Sequence, residues 1–394
     1  MMIPSYPLHP ASIAYLKKGH PWVTKDRFSA KFDPSKDFVV GTGKRDDERF
    51  LLLNDSTHSQ VVARLWRVSA GEEQYFKFTD ELVMRLENAI SKREEWNCRK
   101  KRDNFYLLFG EADFIPGLFI QKLGPVILFQ SYSTFWNKYQ SFVTDFFIKK
   151  YPEHFLYWQN RTKDQQIKMQ NINGAPSEIA IQEFGIKYQL RFGQHYDFGI
   201  YTDMSAIRDV ISYALSESKK MANLYCYTGA YSLFALRNGC SEVHSVDLSG
   251  KYLDWLDENL NLNPALLEGK THIRHEKSVD DFLKNCDTFD LILTDPPSAS
   301  SDGQRVNKAF DQYPMQLWAM YKKLAPGGRI IAFLNTHTVS RVKFITMIKK
   351  TISQQQMGLK IELELSLKED CPRLRGFTEG DYLKGVILKK KGKF

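Results

Sequence analysis

The chain has 394 residues, of which 43% are hydrophobic and 13% aromatic, with a formal net charge of +9 at pH 7. This length exceeds one ordinary hydrophobic core and predicts two or three globular domains, and no apolar run is long enough for a membrane span. The basic balance favours a polyanionic partner such as nucleic acid, because positive surfaces bind phosphates and release their counterions.

The N-terminal segment is rich in short apolar runs typical of β-strands. Phe38–Val40, Phe50–Leu53 and Val61–Val68 are separated by clusters of Gly, Asp and Ser. These runs predict a small β-rich domain over residues 1–72. The first residues lack the basic and then apolar layout of a secretory signal, so we expect a cytoplasmic protein.

A helix followed by strands predicts a central α/β domain over residues 73–176. Within Thr79–Arg93, the residues Leu82, Leu86 and Ile90 have helical spacing after an acidic start. Further elements are predicted at Phe105–Phe109, Leu118–Lys122 and Val126–Tyr132 as strands, and at Tyr139–Lys149 as a helix. The polar stretch Asn160–Pro176 is predicted to be a linker or flexible insertion.

Basic residues cluster at the end of the first helix of this domain, followed by the aromatic residues Phe105 and Tyr106. The cluster consists of Lys92, Arg93, Arg99, Lys100, Lys101 and Arg102. Basic groups with nearby aromatics suit a surface that contacts phosphates and stacks on bases, so we predict RNA binding here. The alternative is an ordinary solvated face, which charge runs also form.

From residue 177 to 394, strands and helices alternate, beginning with a hairpin over Ile179–Phe192 that turns at Gly185. The opening βαβ unit runs from Asn223 to Asp247 and turns at Tyr227-Thr228-Gly229. One glycine stands there instead of the three that cradle a pyrophosphate. Adenosine joined to a compact amino acid therefore fits better than a dinucleotide. S-adenosylmethionine (SAM) is the predicted cofactor, with Asp247 as the acceptor for the ribose diol.

A second candidate site follows another buried strand, Phe289–Thr294, which stops at Asp295-Pro296-Pro297-Ser298. Ligands bind at the carboxyl ends of strands in open α/β sheets, so this rigid polar corner is expected beside the cofactor. The alternative for the whole domain is a doubly wound sheet whose acid after the second strand has no binding role.

Three separated segments give the chain a family resemblance that covers nearly its whole length. They are His20-Pro21-Trp22-Val23, the segment Gly110–Leu118, and Glu379-Gly380-Asp381-Tyr382-Leu383-Lys384-Gly385. The chain resembles the bacterial 23S ribosomal RNA base methyltransferases of the large-subunit methyltransferase I and K group. The resemblance implies an N-terminal PUA domain for RNA docking, a small central α/β domain, a C-terminal Rossmann-like class I SAM-dependent methyltransferase domain, and a homodimer.

By the same resemblance, further residues border the methyl donor. They are Tyr201, Asp203, Tyr227, Thr228, Gly229, Ser278, Val279 and Asp295. Met204 stands where the family usually has Gln. Ser278 stands where the family has an acid near the adenine, and the neighbouring Asp280 is the alternative residue for that role. No metal is expected, because the five cysteines are scattered without C-x-x-C spacing.

The chemistry depends on whether a thiol is present, because methylation at carbon 5 of cytosine needs a cysteine thiolate that adds to the ring. The segment after the strand Arg329–Phe333 reads Leu334-Asn335-Thr336-His337 and has no cysteine. A base nitrogen needs no covalent catalyst, so a nitrogen target is predicted, with guanine N7 favoured by resemblance. The predicted catalytic residues are Asp295, Pro296, Pro297 and Asn335. A 5-methylcytosine enzyme and a non-catalytic RNA-binding or ribosome-assembly protein are the alternatives.

Overall fold

The computed structural model describes residues 3–45, 48–55, 60–95, 101–162, 169–193, 197–297, 299–301 and 306–392. The chain divides into two compact units. The first unit comprises Met1–Ile179, Arg191–Phe198 and Glu369–Gly380, and the second comprises Ala180–Leu190, Gly199–Lys368 and Asp381–Phe394. The two N-terminal domains predicted from the sequence thus lie in one unit, and a late segment of the chain returns to it.

The first unit opens with a sheet whose strand order is β1-β3-β4-β5-β2. Its elements are β1 (Ser5–Pro7), α1 (Pro10–Lys17), β2 (Trp22–Thr24), β3 (Phe38–Thr42), β4 (Arg49–Asn54) and β5 (Val61–Val68). β1 pairs with β3 in parallel, and the other neighbours are antiparallel. The predicted strands coincide with β3, β4 and β5, since their alternating and continuous apolar residues are buried in this sheet.

A second sheet of the first unit has the strand order β10-β9-β8-β7-β6. Its elements are α2 (Phe78–Glu95), β6 (Asn104–Phe109), β7 (Leu118–Leu123), β8 (Val126–Ser131), α3 (Gln140–Lys150), β9 (Phe155–Asn160) and β10 (Met169–Asn171). Leu82, Leu86 and Ile90 of α2 are buried in a core that also contains Trp66 of β5 and Phe129 of β8. The linker prediction for Asn160–Pro176 is wrong at β10, which pairs with β9.

The second unit begins with Ala180–Leu190, the central part of a hairpin of β11 (Glu178–Glu183) and β12 (Ile186–Arg191), which turns at Phe184 and Gly185 as predicted. A sheet of seven described strands follows, in the order β15-β14-β13-β16-β19-β21-β20. Its strands are β13 (Lys220–Leu224), β14 (Glu242–Asp247), β15 (Thr271–Glu276), β16 (Phe289–Thr294), β19 (Leu324–Asn335), β20 (Leu359–Leu365) and β21 (Leu383–Lys390). A separate short pair consists of β17 (Ala299–Ser301) and β18 (Val306–Lys308).

Helices connect the strands of this sheet, which confirms the predicted doubly wound α/β architecture. They are α4 (Ser205–Ser216), α5 (Ala230–Arg237), α6 (Gly250–Asn261), α7 (Val279–Asn285), α8 (Ala309–Lys322) and α9 (Arg341–Gln354). β15, β14, β13, β16 and β19 are parallel, and β21 runs antiparallel between β19 and β20. The parallel strands therefore end at one edge, where Leu224, Asp247, Thr294 and Asn335 bring their following loops together.

Candidate active site

The loop between β13 and α5 has an unusual backbone. Tyr225, Tyr227 and Gly229 have φ values of 59°, 51° and 85°. Non-glycine residues rarely adopt this left-handed region, and such strain is concentrated at functional sites. A Cβ at Gly229 would lie 2.5 Å from Cγ of Leu256, so both the backbone angle and the close approach of α6 require glycine. Gly229 directly precedes α5, whose first N–H groups lie at this edge.

Asp247 fixes this loop from the end of β14. Its two carboxylate oxygens accept hydrogen bonds from the backbone N–H groups of Tyr227 and Ser249, both at 3.0 Å. Each oxygen of an ionised carboxylate has two lone pairs, so each retains one after this bond. The half-buried Asp247 therefore has the acceptor capacity for a ribose diol, which is the property predicted for it.

Thr228 and Gly199 join the loop to the segment before α4. The buried Thr228 hydroxyl donates to the carbonyl oxygen of Gly199, and Asn259 donates to the carbonyl oxygen of Thr228 at 2.9 Å. The Thr228 side chain is therefore a structural link, and its backbone is the part left to border a cofactor. Tyr201 follows, 44% exposed, with its ring 5.4 Å from that of Tyr227, so aromatic surface lines this side of the loop.

Asp203 lies in the short turn before α4, and its position is set by a distant tyrosine. The hydroxyl of Tyr382 donates to Oδ2 of Asp203 at 2.6 Å. Close by along the chain, the buried Arg208 pairs with Glu183, with nitrogen–oxygen distances of 2.5 and 3.0 Å. Arg208 also donates to the carbonyl oxygen of Tyr201 at 3.2 Å, so a buried ion pair anchors the segment that carries both predicted cofactor residues.

Asp295 follows β16 and has a perturbed acidity. Burial raises its pKa to about 7, the charge of Asp203 adds to this rise, and Arg208 opposes it. An acid kept partly neutral at physiological pH is typical of catalytic and binding sites. Pro296 is buried and Pro297 is exposed. Because each proline ring fixes its φ angle, the backbone of this corner is held in one conformation.

Two buried hydroxyl groups beside Asp295 lack a hydrogen-bond partner within the described part of the chain. They belong to Thr294, the residue before Asp295, and to Tyr231, whose ring lies 5.6 Å from the guanidinium carbon of Arg208. A buried polar group without a partner is unfavourable, so a polar ligand at this edge would satisfy them. The loop, the open acceptors of Asp247 and these hydroxyls together fit a nucleoside cofactor.

Asn335, the last residue of β19, is half-buried at the same edge. Thr294 is the register partner of Ala332, so Asn335 lies only three residues beyond the level of the β16 end. Tyr231 stacks on Phe333 with a ring separation of 5.8 Å, and Tyr313 donates to the carbonyl oxygen of Phe333 at 2.7 Å. The structure thus brings Asp295 and Asn335 to neighbouring strand ends.

The predicted adenine contacts have structural roles of their own. The Ser278 hydroxyl accepts from the backbone N–H of Asp281 at 3.1 Å and caps α7, and Val279 is 5% exposed in the core. Burial raises the pKa of Tyr225, and the charges of Asp280 and Asp247 add to this rise, so Asp280 lies near the loop between β13 and α5. Contacts of Ser278 and Val279 with adenine stay a prediction.

The predicted RNA-binding cluster of the first unit needs correction at two positions. Arg93 is fully buried and donates to both carboxylate oxygens of Asp113, at 2.7 and 2.6 Å. Arg102 is 4% exposed and pairs with Asp370 at 2.5 Å. The prediction that these two side chains bind RNA is therefore wrong, because their charges are neutralised in the interior. Lys92 and Lys101 are exposed, while Arg99 and Lys100 lie outside the described residues.

Sequence reasoning gave no role to Tyr231, Asn259, Tyr382 or Lys384. Tyr382 and Lys384 belong to the segment Glu379–Gly385, which carried part of the family resemblance, and that was their only signal. Their contacts with Asp203 and with the end of β19 join residues far apart in sequence, which no local pattern specifies.

The parallel sheet with its strained glycine loop and the acid after β14 defines a nucleoside-cofactor α/β enzyme of the class I methyltransferase type. A family model described as S-adenosylmethionine-dependent methyltransferase matches residues 150–355, just over half of the chain. The chain belongs to this family and is a SAM-dependent methyltransferase.

Relatives of known name or structure match nearly the whole chain. A protein of Pseudoalteromonas atlantica named ribosomal RNA large subunit methyltransferase I is 26% identical, over 97% of this chain and 98% of its own length. SMU.776, assigned as a methyltransferase and crystallised with SAH, superposes with a TM-score of 0.86 at 20% identity, over 99% of this chain and 100% of its own. A Streptococcus mutans protein assigned as a SAM-dependent methyltransferase gives 0.84 at 21% identity, covering 98% and 100%.

None of the helices in the described ranges is long and apolar enough to cross a membrane. The homodimer, the cytoplasmic location and the PUA identity of residues 1–72 stay predictions.

Proposed function

We propose that this chain transfers the methyl group of SAM to a base of large-subunit ribosomal RNA, at a ring nitrogen and by preference guanine N7. The RNA substrate is proposed because a protein named ribosomal RNA large subunit methyltransferase I aligns with 97% of the chain. The net charge of +9 is consistent with an RNA substrate, because phosphates attract a basic surface.

In this proposal the cofactor lies along the edge formed by β13 and β14. SAM supplies an electrophilic methyl group on a sulfonium when bound. Asp247 accepts the ribose hydroxyls with the lone pairs that its two backbone bonds leave open. The backbone of Tyr227-Thr228-Gly229 borders the methionine portion, and Tyr201 and Asp203 close the opposite side. Asp295 is near enough to Asp203 to sense its charge and so borders the same space.

The target base is held by residues after β16 and β19. Asp295, together with the backbone of Pro296 and Pro297, binds one edge of the base, and the Asn335 amide makes a further hydrogen bond to it. A base reaches such a pocket only when it is turned out of its stack. A ring nitrogen has a lone pair that attacks the methyl group directly, so alignment supplies most of the rate enhancement.

The state of the thiols supports a nitrogen target over carbon 5 of cytosine. Cys226, inside the cofactor loop, is 5% exposed. Burial raises the pKa of its thiol well above the usual range, and the charge of Asp247 raises it further. A thiol that stays protonated is a poor nucleophile. The sequence 334–340 has no cysteine that would take its place.

The deciding experiment compares ribosomal RNA from cells with and without this chain by mass spectrometry of its nucleosides. The purified protein is then incubated with SAM and the RNA that lacks the modification, with Asp247→Ala as the inactive control. We expect one methylated guanine to be restored by the wild-type protein and not by Asp247→Ala. A 5-methylcytosine product would overturn the nitrogen assignment. RNA binding without any methyl transfer would instead favour the non-catalytic assembly protein.

A further inference from the structure

The segment Asp381–Lys384, which we term the return segment, re-enters the second unit at the start of β21. It belongs to the C-terminal sequence that carried the family resemblance, and the proposed function assigns it no task. Its hydrogen bonds with Asp203, Thr336 and Arg341 all lie within the second unit. They connect it to the cofactor side and to the target side of the candidate active site.

Tyr382 connects the return segment to the cofactor side. Its hydroxyl donates to Oδ2 of Asp203 at 2.6 Å, a hydrogen bond strengthened by the carboxylate charge. Asp203 in turn acts on Asp295, whose pKa is raised by burial and then by the Asp203 charge. The orientation of the Asp203 carboxylate is therefore coupled to the position of the Tyr382 ring.

The backbone of the same residue is bound to the target side. Its carbonyl oxygen accepts from the N–H of Thr336 at 2.9 Å and from the Lys384 ammonium at 2.8 Å. The Lys384 ammonium also donates to the carbonyl oxygen of Thr336. Thr336 directly follows Asn335, so the end of β19 and Tyr382 are held together by three hydrogen bonds. Lys384 is 1% exposed, and burial lowers its pKa to about 8.

Arg341, the first residue of α9, fixes the return segment from the other side. Its guanidinium donates to both carboxylate oxygens of Asp381, at 3.0 and 2.8 Å, and to the carbonyl oxygen of Leu383 at 2.8 Å. Bidentate pairs of this kind restrict geometry as well as contributing energy. Tyr382 lies between two residues that Arg341 holds, so the backbone from which its ring extends toward Asp203 is fixed on both sides.

We propose that Tyr382 is a positioning residue for the methyl donor, acting through Asp203. Its hydroxyl orients the Asp203 carboxylate toward the cofactor, while its backbone fixes the strand end that carries Asn335. The proposal rests on the proposed role of Asp203 in binding SAM. One residue thus sets the distance between donor and target, a distance on which the rate of an aligned transfer depends steeply.

The test is a double-mutant cycle in the full-length protein, measured by calorimetry with SAM. Tyr382→Phe removes only the hydroxyl, and Asp203→Asn removes the charge to which it donates. Each single variant is expected to bind SAM about tenfold more weakly, and the double variant no more than about twofold below Asp203→Asn. Tyr213→Phe is the matched control, because its hydroxyl donates to the Glu362 carboxylate at 3.3 Å on an exposed face. It should bind SAM as the wild type does.

Two results would overturn the proposal. One is unchanged SAM affinity in Tyr382→Phe or in Asp203→Asn. The other is an equal loss from Tyr382→Phe with and without the Asp203 carboxylate, since the tyrosine would then act by another route. A structural role alone would lower the melting temperature and leave the Kd unchanged. Calorimetry needs no RNA. A wild-type protein that binds SAM but methylates no ribosomal RNA would therefore refute the proposed substrate, while the test of Tyr382 would still be valid.

Discussion

The two halves of the methyltransferase sheet assemble their sites in different ways. On the cofactor side, Tyr227, Gly229 and Asp247 lie within one βαβ unit, and the hydrogen bond from Tyr227 to Asp247 spans 20 residues. On the target side, the hydrogen bond from Lys384 to the carbonyl oxygen of Thr336, beside Asn335, spans 48 residues, and the bond from Tyr382 to Asp203, which connects the two sides, spans 179. A site built from one short stretch is visible in the sequence, whereas a site built from distant stretches exists only after folding.

Asp247→Ala should produce the largest effect, because it removes the carboxylate on which the cofactor half depends. Two charge-assisted hydrogen bonds to the ribose are lost, each contributing about 1.5–3 kcal/mol, so SAM affinity should fall about 100-fold or more. Calorimetry measures this directly. The control is Asp254→Ala on α6, whose carboxylate is 66% exposed and pairs with Arg274 at the surface. Comparable losses in both variants would mean that Asp247 has no special role.

Gly229→Ala tests whether the cofactor loop depends on its backbone geometry. The new Cβ would meet Leu256 at 2.5 Å while φ stays at +85°, so we expect a loss of about 2 kcal/mol in the free energy of unfolding, together with weaker SAM binding. Gly239→Ala is the matched control, since its φ is +106° and no atom lies within 4 Å of the added carbon. It should lose about 1 kcal/mol and keep its SAM affinity. Denaturant titration of both variants makes the comparison.

Asp295→Asn examines the target half through pH. The wild-type carboxyl has its pKa raised from 3.8 to about 7 by burial and by Asp203, against the opposing charge of Arg208. Between these pH values the Asp295 carboxyl is ionised in the unfolded chain and largely protonated in the folded chain. The wild-type free energy of unfolding should therefore fall as pH rises from about 4 to about 7, and Asp295→Asn should lose this part of the slope.

Activity should follow the same titration, because a neutral Asp295 donates a hydrogen bond to a base edge that carries acceptors, as the O6 and N7 edge of guanine does. We expect kcat/KM of the wild type to fall above pH about 7 and that of Asp295→Asn to stay level. Activity that instead rises through this pH range would point to an amino group as the target. Asp254→Asn, altered at an exposed carboxylate, should follow the wild type.

Cys226→Ser should have the smallest effect. The buried thiol has a raised pKa and supplies no thiolate, so initial rates of methyl incorporation should stay within about twofold of the wild type. A loss of more than tenfold, with the melting temperature preserved, would indicate covalent catalysis. The product assigned to the wild-type enzyme would then be 5-methylcytosine.

Local patterns were a good guide to the elements of the fold. The strands Val61–Val68 and Phe289–Thr294 have the predicted bounds, and α2 extends the predicted helix by only a few residues. Their apolar periodicity records which face is buried, and that is a property of each segment alone. The basic cluster failed for the opposite reason, because the charges of Arg93 and Arg102 gave no sign of the carboxylates that the fold places beside them.

The sequence by itself determined the doubly wound fold, the turn of the loop proposed to bind SAM and the position of Asp247 at a strand end, because each is encoded in consecutive residues whose spacing matches one strand, turn or helix. Only the tertiary structure decided that Tyr382 reaches Asp203, that burial and the charge of Asp203 raise the pKa of Asp295 to about 7, and that Arg93 lies in the interior. These properties depend on burial and on charges brought together from distant segments, and both arise only when the chain is folded.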